Sequence, residues 1–187
     1  MVRHVAWMCV VLATTSAGPP RAPGDNEEAA RLYKEDQADR TPPPGRPIDW
    51  SAVLPRDRAR EARIKELYRS DDLRTGADYY HAAMILQHAP APEDYLLAHE
   101  FCVVAVSQGE KRALWLAAAT EDRFLMALGR PQRFGTQYRS ADATSPVRLH
   151  PVDGHVTDGL RGLFAVPPLA EAMAREKEMS ERLGPRP

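Results

Sequence analysis

Polar residues of kinds that could carry out chemistry recur through the middle of this 187-residue chain. They form four groups in sequence: Gln87-His88, His99, Asp122-Arg123 and the segment Pro131–Gln137. Histidine titrates near neutral pH and a carboxylate can orient it, so acid–base chemistry is open to this set. Arginine could hold an anion with its planar guanidinium group, and glutamine could bind polar groups of a ligand.

Helical geometry predicts that these groups meet. Folding the second central helix back on the third brings His99 within about one turn of Asp122. Folding the first helix on the second brings His88 about one turn from His99. Asp122 also falls in phase with an apolar stripe, where a buried carboxylate must be paired or hydrogen-bonded. We therefore expect a polar pocket at one end of three helices, with segment 131–137 as its wall.

The three central helices are predicted from hydrophobic pattern and stop signals. They read GADYYHAAMILQH (76–88), EDYLLAHEFCVVAVSQG (93–109) and EKRALWLAAATEDRFLMALG (110–129), and the last two end on glycine. Because the linkers between them are short, neighbouring helices should run antiparallel.

Two charged helices are predicted before this layer. A capping-box pattern at Asp25–Glu28 begins the first, and the four prolines within Thr41–Pro47 end it and favour an extended connection. Asp57 is a plausible cap for the second helix, which would run to about Tyr68.

Shorter elements follow the layer. Phe134–Tyr138 and Val147–His150 alternate enough to predict a short β-hairpin, and a last helix is expected near Leu169–Arg182. The sequence thus predicts a mainly α fold, a small helical domain at 25–172 with a short hairpin. Residues 173–187 would form the end of the last helix and a frayed tail.

The N-terminus has the pattern of an export signal. Arg3 and His4 precede an apolar stretch, Val5–Ala13, and small residues follow. We expect a signal peptide at 1–17, a flexible spacer at 18–24, and a periplasmic or extracellular protein. If the segment is not a signal, the protein would be cytoplasmic.

Composition limits the partners. The chain is 43% hydrophobic and 27% charged with a net charge of −1, as in soluble globular proteins. Nucleic acid is not expected as a partner, because phosphate binding needs a basic face. No apolar run approaches the roughly 18 residues of a membrane span. Cys102 lies in an apolar run and is typical of a small buried residue rather than a nucleophile.

A metal site is a narrower alternative. His88 and His99 with Asp122 or Glu100 could supply ligands, but the His-Glu-x-x-His spacing is absent. We expect no metal and no cofactor, and a small molecule or a peptide as the ligand. The oligomeric state stays open.

Four motifs in this order resemble an uncharacterised bacterial domain family, a domain of unknown function. They are Asp36-Gln37-x-x-Arg40, Gln87-His88, Asp122-Arg123 and Gln132-x-Phe134-Gly-Thr136-Gln137, followed by Asp158-x-x-Arg161 and Pro168-Leu169. The resemblance covers roughly residues 30–172. It implies a fold and a set of residues but no reaction.

The resemblance adds three residues of the first helix to the candidate site. Asp36, Gln37 and Arg40 share one helical turn, and Asp36 and Arg40 form an i, i+4 pair. If this helix docks at the pocket end, the Pro-rich connection tethers it across the bundle. The alternative is a solvated charged helix.

The first functional hypothesis is a hydrolase or transferase that acts on a small polar or peptidic substrate. His88 or His99 would be the general acid or base, and Asp122 would orient it. The chain offers no Gly-x-Ser-x-Gly nucleophile, so water would attack directly. The substrate-binding candidates are Gln87, Arg123, Gln132, Thr136 and Gln137, together with Asp36, Gln37 and Arg40.

Two other hypotheses use the same residues. In a non-catalytic binding module the pocket holds a ligand or peptide without turnover; in a structural network the polar groups only fix helix register. An enzyme should have a histidine facing an open cleft with Asp122 behind it. A binding module should have a cleft lined by arginine and glutamine with both histidines turned away, and a structural network should have no cleft.

Overall fold

The computed structural model describes residues 24–141 and 145–183, which fold into seven α-helices and one short hairpin. In chain order these are α1 (Glu27–Asp39), α2 (Trp50–Arg69), α3 (Gly76–Leu86), α4 (Pro92–Ser107), α5 (Ala113–Ala127), β1 (Tyr138–Arg139), β2 (Arg148–Leu149), α6 (Asp158–Leu163) and α7 (Leu169–Leu183). The prediction of a small, mainly α domain with a short hairpin is confirmed. The predicted signal peptide at 1–17, and all of the predicted spacer except Gly24, lie outside the described residues.

The helices α3, α4 and α5 form the central layer. Short links at 87–91 and 108–112 join them, and α4 packs along both of its neighbours. α1 packs on α3, and α2 contacts both α1 and α3. One apolar core joins these five helices. It includes Leu32, Ile64, Leu86, Phe101 and Leu116, one from each of α1 to α5. No helix in the described ranges combines the length and the apolar character needed to cross a membrane.

The helix α2 begins earlier than the sequence pattern predicted. Its N-cap is Asp49, whose carboxylate accepts hydrogen bonds from the backbone N–H groups of Ser51 and Ala52 at 3.1 and 3.4 Å. The prediction that Asp57 caps this helix is therefore wrong. Pro55 obscured the true start, because a proline inside a helix cannot donate to the preceding turn.

The chain after α5 forms a second layer of structure. The hairpin pairs Tyr138 with Leu149 and Arg139 with Arg148 in antiparallel register. Its first strand begins at Tyr138, later than the predicted Phe134, because Gln132 instead makes a parallel bridge to Val152. α7 packs against β2, and α6, which was not predicted as a helix, precedes it.

A small second apolar cluster holds this layer to α5. Ala118 of α5 packs with Phe134, Val156 and Val166, and the ring of Phe164 contacts that of Phe134 in a tilted arrangement with centroids 4.8 Å apart. Segment 131–137 is thus fixed on its apolar side by packing, which leaves its polar groups to be satisfied elsewhere.

Two glycines in this region allow the cost of backbone strain to be compared with the cost of steric crowding. Gly129 and Gly135 both have positive φ, +72° and +73°. A Cβ at Gly129 would meet nothing within 4 Å, whereas one at Gly135 would lie 3.2 Å from the buried guanidinium of Arg161. We expect Gly129→Ala to lower the free energy of unfolding by about 1 kcal/mol, the cost of the left-handed backbone, and Gly135→Ala to lower it further.

Urea unfolding of both variants measures this difference. Equal losses for the two would mean that the guanidinium of Arg161 moves away from Gly135 without cost.

Candidate functional site

The carboxylate of Asp122 organises the segment that follows α5. Its Oδ1 accepts the backbone N–H groups of Arg133 and Phe134 at 2.7 and 2.8 Å. Its Oδ2 accepts both the N–H and the hydroxyl of Thr136 at 3.0 and 2.7 Å. The side chain is fully buried. No hydrogen bond joins Asp122 to His88 or His99, so the expectation that it orients a histidine is corrected: its acceptors are used by segment 133–136.

Gln132 and Arg161 complete this local network. The Gln132 amide donates to the carbonyls of Gln137 and His150 at 3.0 and 2.8 Å and accepts the N–H of Gln137 at 2.9 Å. Arg161, also fully buried, donates to the carbonyls of Phe134 and Arg133. All of these bonds go to the protein itself, so Gln132, a predicted ligand-binding residue, is placed as a structural one.

The hydrogen bond that the Thr136 hydroxyl donates to Asp122 determines which way the Gln137 amide points. Thr136 gives its single hydroxyl proton to Asp122, whose oxygens already accept backbone N–H groups. The Thr136 oxygen can then only accept, and it accepts from Nε2 of Gln137 at 2.8 Å. Oε1 of Gln137 is left as an acceptor for which no described residue is a donor.

A cleft of about 450 Å³ opens beside Gln137. Its polar lining is Arg123 from α5, Gln137, and Arg139 from the hairpin. Its other lining residues are Pro90, Pro92, Tyr95, Met126, Ala127 and Tyr138. The Tyr138 hydroxyl donates to the carbonyl of Ala172 at 3.1 Å, so that residue offers its ring to the cleft. The lining contains no histidine and no carboxylate.

Arg123 is a partly buried cation without a counter-ion among the described residues. No ion pair or hydrogen bond links it to another described side chain, and its Nε is fully buried without a partner. Burial lowers the pKa of Arg123, while the phenol of Tyr95 raises it and the charges of Arg139 and Arg40 lower it. None of these groups is a carboxylate. Arginine keeps its charge in proteins, so the cleft carries an uncompensated positive charge.

Asp36 is the centre of a second buried cluster, between α1 and α2. Its Oδ1 accepts from Arg40 at 2.7 Å and its Oδ2 from Gln37 at 2.8 Å. Arg40 also pairs with Asp57 at 2.7 Å, and Asp57 pairs with Arg60 at 2.6 Å. The three predicted residues of α1 therefore do meet, but they bond one another and α2 rather than the cleft.

His88 lies against this cluster. Its Nε2 is 3.7 Å from Oδ2 of Asp36, and its side chain is 21% exposed. Burial, together with the charges of Arg40 and Arg123, lowers the pKa of His88 to about 3. Burial raises the pKa of Asp36 to about 6, against the opposing charge of Arg40. Both shifts disfavour the charged form of the group, so neither favours an ion pair between Asp36 and His88.

The remaining candidates make local contacts. Nδ1 of His99 lies 3.0 Å from the carbonyl oxygen of Ala117, on the neighbouring α5. The amide of Gln87 contacts the sulfur of Met84 at 3.4 Å. Neither residue lines the cleft. No group of three or more residues suited to metal binding gathers in the described part of the chain.

Several site residues were not found from the sequence. Arg60 and Asp57 fall in helical phase with Ile64 and Leu67, so charges on an apolar stripe were a signal that could have found them. Arg139 joins the cleft only through the hairpin, and no sequence pattern marks it.

Comparison with protein-family models, curated proteins and solved structures found no match to this chain. The resemblance to a domain family described above therefore stays a prediction.

We expect Asp122→Asn to lower the free energy of unfolding by about 3 kcal/mol. The amide would place an N–H donor against buried N–H or O–H donors, which leaves those groups unsatisfied. Urea unfolding measures the loss, and Asp71→Asn, at an exposed position, is the control. A loss as small as that of the control would show that segment 133–136 is held by packing alone.

Asp36 and His88 contribute to the free energy of unfolding with opposite pH dependences. The raised pKa of Asp36 contributes stability that is lost as pH rises from about 4 to 6, and the lowered pKa of His88 contributes stability that is gained from about 3 to 6.5. Relative to wild type, Asp36→Asn should therefore gain stability as pH rises from 4 to 6, and His88→Gln should lose it.

Urea unfolding of the three proteins at several pH values measures both slopes. An ion pair between Asp36 and protonated His88 would reverse the two signs, because the carboxyl pKa would then be lowered and the histidine pKa raised. Arg40, Asp57, Arg60 and Arg123 are unchanged in both variants, so their contributions cancel to first order in the comparison.

Proposed function

We propose that this protein is a non-catalytic binding module that holds a small anionic ligand in the cleft beside Arg123. The observation that carries this proposal is the partly buried Arg123 side chain, which has no counter-ion among the described residues and lines the cleft. A partly desolvated charge without a partner is destabilising, so a ligand that supplies an anion gains the interaction that the described residues leave unmade.

The lining of the cleft favours binding over catalysis. It combines Arg123, Arg139 and Gln137, which recognise ligands well and transfer protons poorly. A hydrolase or transferase would need His88 or His99 to reach the substrate, but neither borders the cleft. Asp122, the intended partner of the base, has its oxygens occupied by segment 133–136. Acid–base chemistry thus has less support than ligand binding.

The cleft has the size and surroundings of a small-molecule site. Its volume of about 450 Å³ lies in the lower part of the range of about 300–1,000 Å³ for ligand pockets. It is formed where α4, α5 and the hairpin meet, so elements from both layers of the fold hold its walls. A binding site on such elements needs little reorganisation to receive its ligand.

We expect Arg123→Met to keep or raise the midpoint of thermal unfolding and to abolish ligand binding. Methionine retains most of the apolar stem and removes a charge that costs free energy to bury. The measurement is the unfolding midpoint with acetate, malonate or inorganic phosphate present, against chloride at equal ionic strength. These anions should raise the midpoint of the wild type and leave that of Arg123→Met unchanged.

The control is Arg58→Met, which removes an exposed arginine of α2 that has no described partner. It should respond to the anions as the wild type does. Equal responses of the wild type and Arg123→Met would overturn the proposal, because the anions would then act elsewhere on the protein.

A further inference from the structure

Two polar residues of the cleft lining, Arg123 and Gln137, leave a donor and an acceptor unused by the described residues. Arg123 offers guanidinium N–H groups with no acceptor among the described side chains. Gln137 offers Oε1, because its Nε2 is held by Thr136 and Thr136 is held by Asp122. A ligand that satisfies both must carry an anionic acceptor and, beside it, a hydrogen-bond donor.

This requirement disfavours an anion without an O–H or N–H group, such as sulfate. Sulfate presents acceptor oxygens on every side, so one of them would face the carbonyl oxygen of Gln137. If Gln137 turned its amide to donate instead, its carbonyl oxygen would face the Thr136 oxygen with no proton between them, because the Thr136 hydroxyl donates to Asp122. The cleft therefore suits a carboxylate that carries an N–H group on the adjoining carbon.

The charges around the cleft select the form of that nitrogen. A free amino acid carries an ammonium group, which would lie near Arg123 and Arg139 with no carboxylate in the lining to compensate it. An acylated nitrogen is neutral and keeps one N–H to donate to Gln137. Acylation of the nitrogen is the state found at the C-terminal residue of a peptide.

Resting on the proposed function, we propose that the cleft binds a free α-carboxylate whose neighbouring nitrogen is acylated, as at the C-terminus of a peptide. The carboxylate pairs with Arg123, and the N–H donates to Oε1 of Gln137. The rings of Tyr95 and Tyr138 border the same space and offer apolar surface to the terminal side chain. The cleft has room for the end of a peptide rather than for a long segment.

The test is calorimetric titration of the full-length protein with three ligands that differ by one group. N-acetyl-L-alanine carries both groups, N-acetyl-L-alaninamide lacks the carboxylate, and O-acetyl-L-lactate replaces the N–H by oxygen. We expect the amide to bind at least about a hundredfold more weakly than N-acetyl-L-alanine. The lactate ester should bind at least about tenfold more weakly, because two acceptors then face each other.

The same titrations with Gln137→Leu test whether the N–H group of the ligand donates to Gln137. Without the acceptor, N-acetyl-L-alanine and O-acetyl-L-lactate should bind equally, which closes a double-mutant cycle between ligand and protein. The comparison of ligands on the wild type needs no substitution, so a folding defect in Gln137→Leu leaves it intact. A tenfold preference that persists in a folded Gln137→Leu would overturn the assigned contact.

Further ligands distinguish the end of a peptide from a small N-acyl amino acid as the natural ligand. Acetyl-Gly-Gly-Ala should bind at least as tightly as N-acetyl-L-alanine if the ligand is a peptide end, and more weakly if it is a small N-acyl amino acid. Free L-alanine should bind more weakly than either. Tighter binding of free L-alanine than of its acetylated form would overturn the inference.

Failure of this inference is distinguishable from failure of the proposed function. If acetate or inorganic phosphate binds through Arg123 and N-acetyl-L-alanine binds no better than acetate, the cleft still holds anions but does not recognise the N–H. If none of these ligands binds, both proposals are overturned.

Discussion

The carboxylate of Asp122 is the interaction on which the rest of the site depends. It lies fully buried at the end of α5 and takes four hydrogen bonds from segment 133–136. A short irregular segment cannot satisfy its own backbone N–H groups, so a buried acceptor has to supply the partners that a helix or sheet would otherwise provide. With those donors fixed on one side and the guanidinium of Arg161 on the carbonyls of the other, the chain can turn at Gly135 and lead into the hairpin.

Arg123 follows Asp122 in the sequence but, unlike Asp122, has no partner among the described side chains. Arg123 has its Nε buried and lines the open cleft, and no described carboxylate pairs with it. Adjacent residues on a helix point about 100° apart, so one motif can send its carboxylate into the protein and its cation toward the cleft. Asp122 uses its acceptors within the fold, whereas no described side chain accepts a hydrogen bond from Arg123. This division explains why an Asp-Arg pair need not be a salt bridge.

The cluster around Asp36 serves a different purpose from the one its sequence suggested. Asp36, Arg40, Asp57 and Arg60 pair with one another, so charges join α1 and α2 in addition to the apolar core that both helices share. His88 lies against this cluster, where burial and three cations, those of Arg40, Arg123 and Arg60, lower its pKa and oppose its protonation. The Pro-rich connection carries the chain from α1 to α2 and allows the two helices to lie side by side. The cluster thus links α1 to α2, while apolar residues such as Leu32 hold α1 on the central layer.

The sequence by itself determined the helical class, the three central helices and the burial of Asp122, because hydrophobic phase and glycine stops are local properties of the chain. It also determined that Gln132, Thr136 and Gln137 stand beside the core. The tertiary structure alone decided which of these groups remain free. Whether an amide or a guanidinium faces a ligand depends on partners distant in the chain, such as His150 for Gln132 and Phe134 for Arg161. The position of Arg139 beside the cleft was decided in the same way, because the hairpin pairing that places it joins residues distant in the chain.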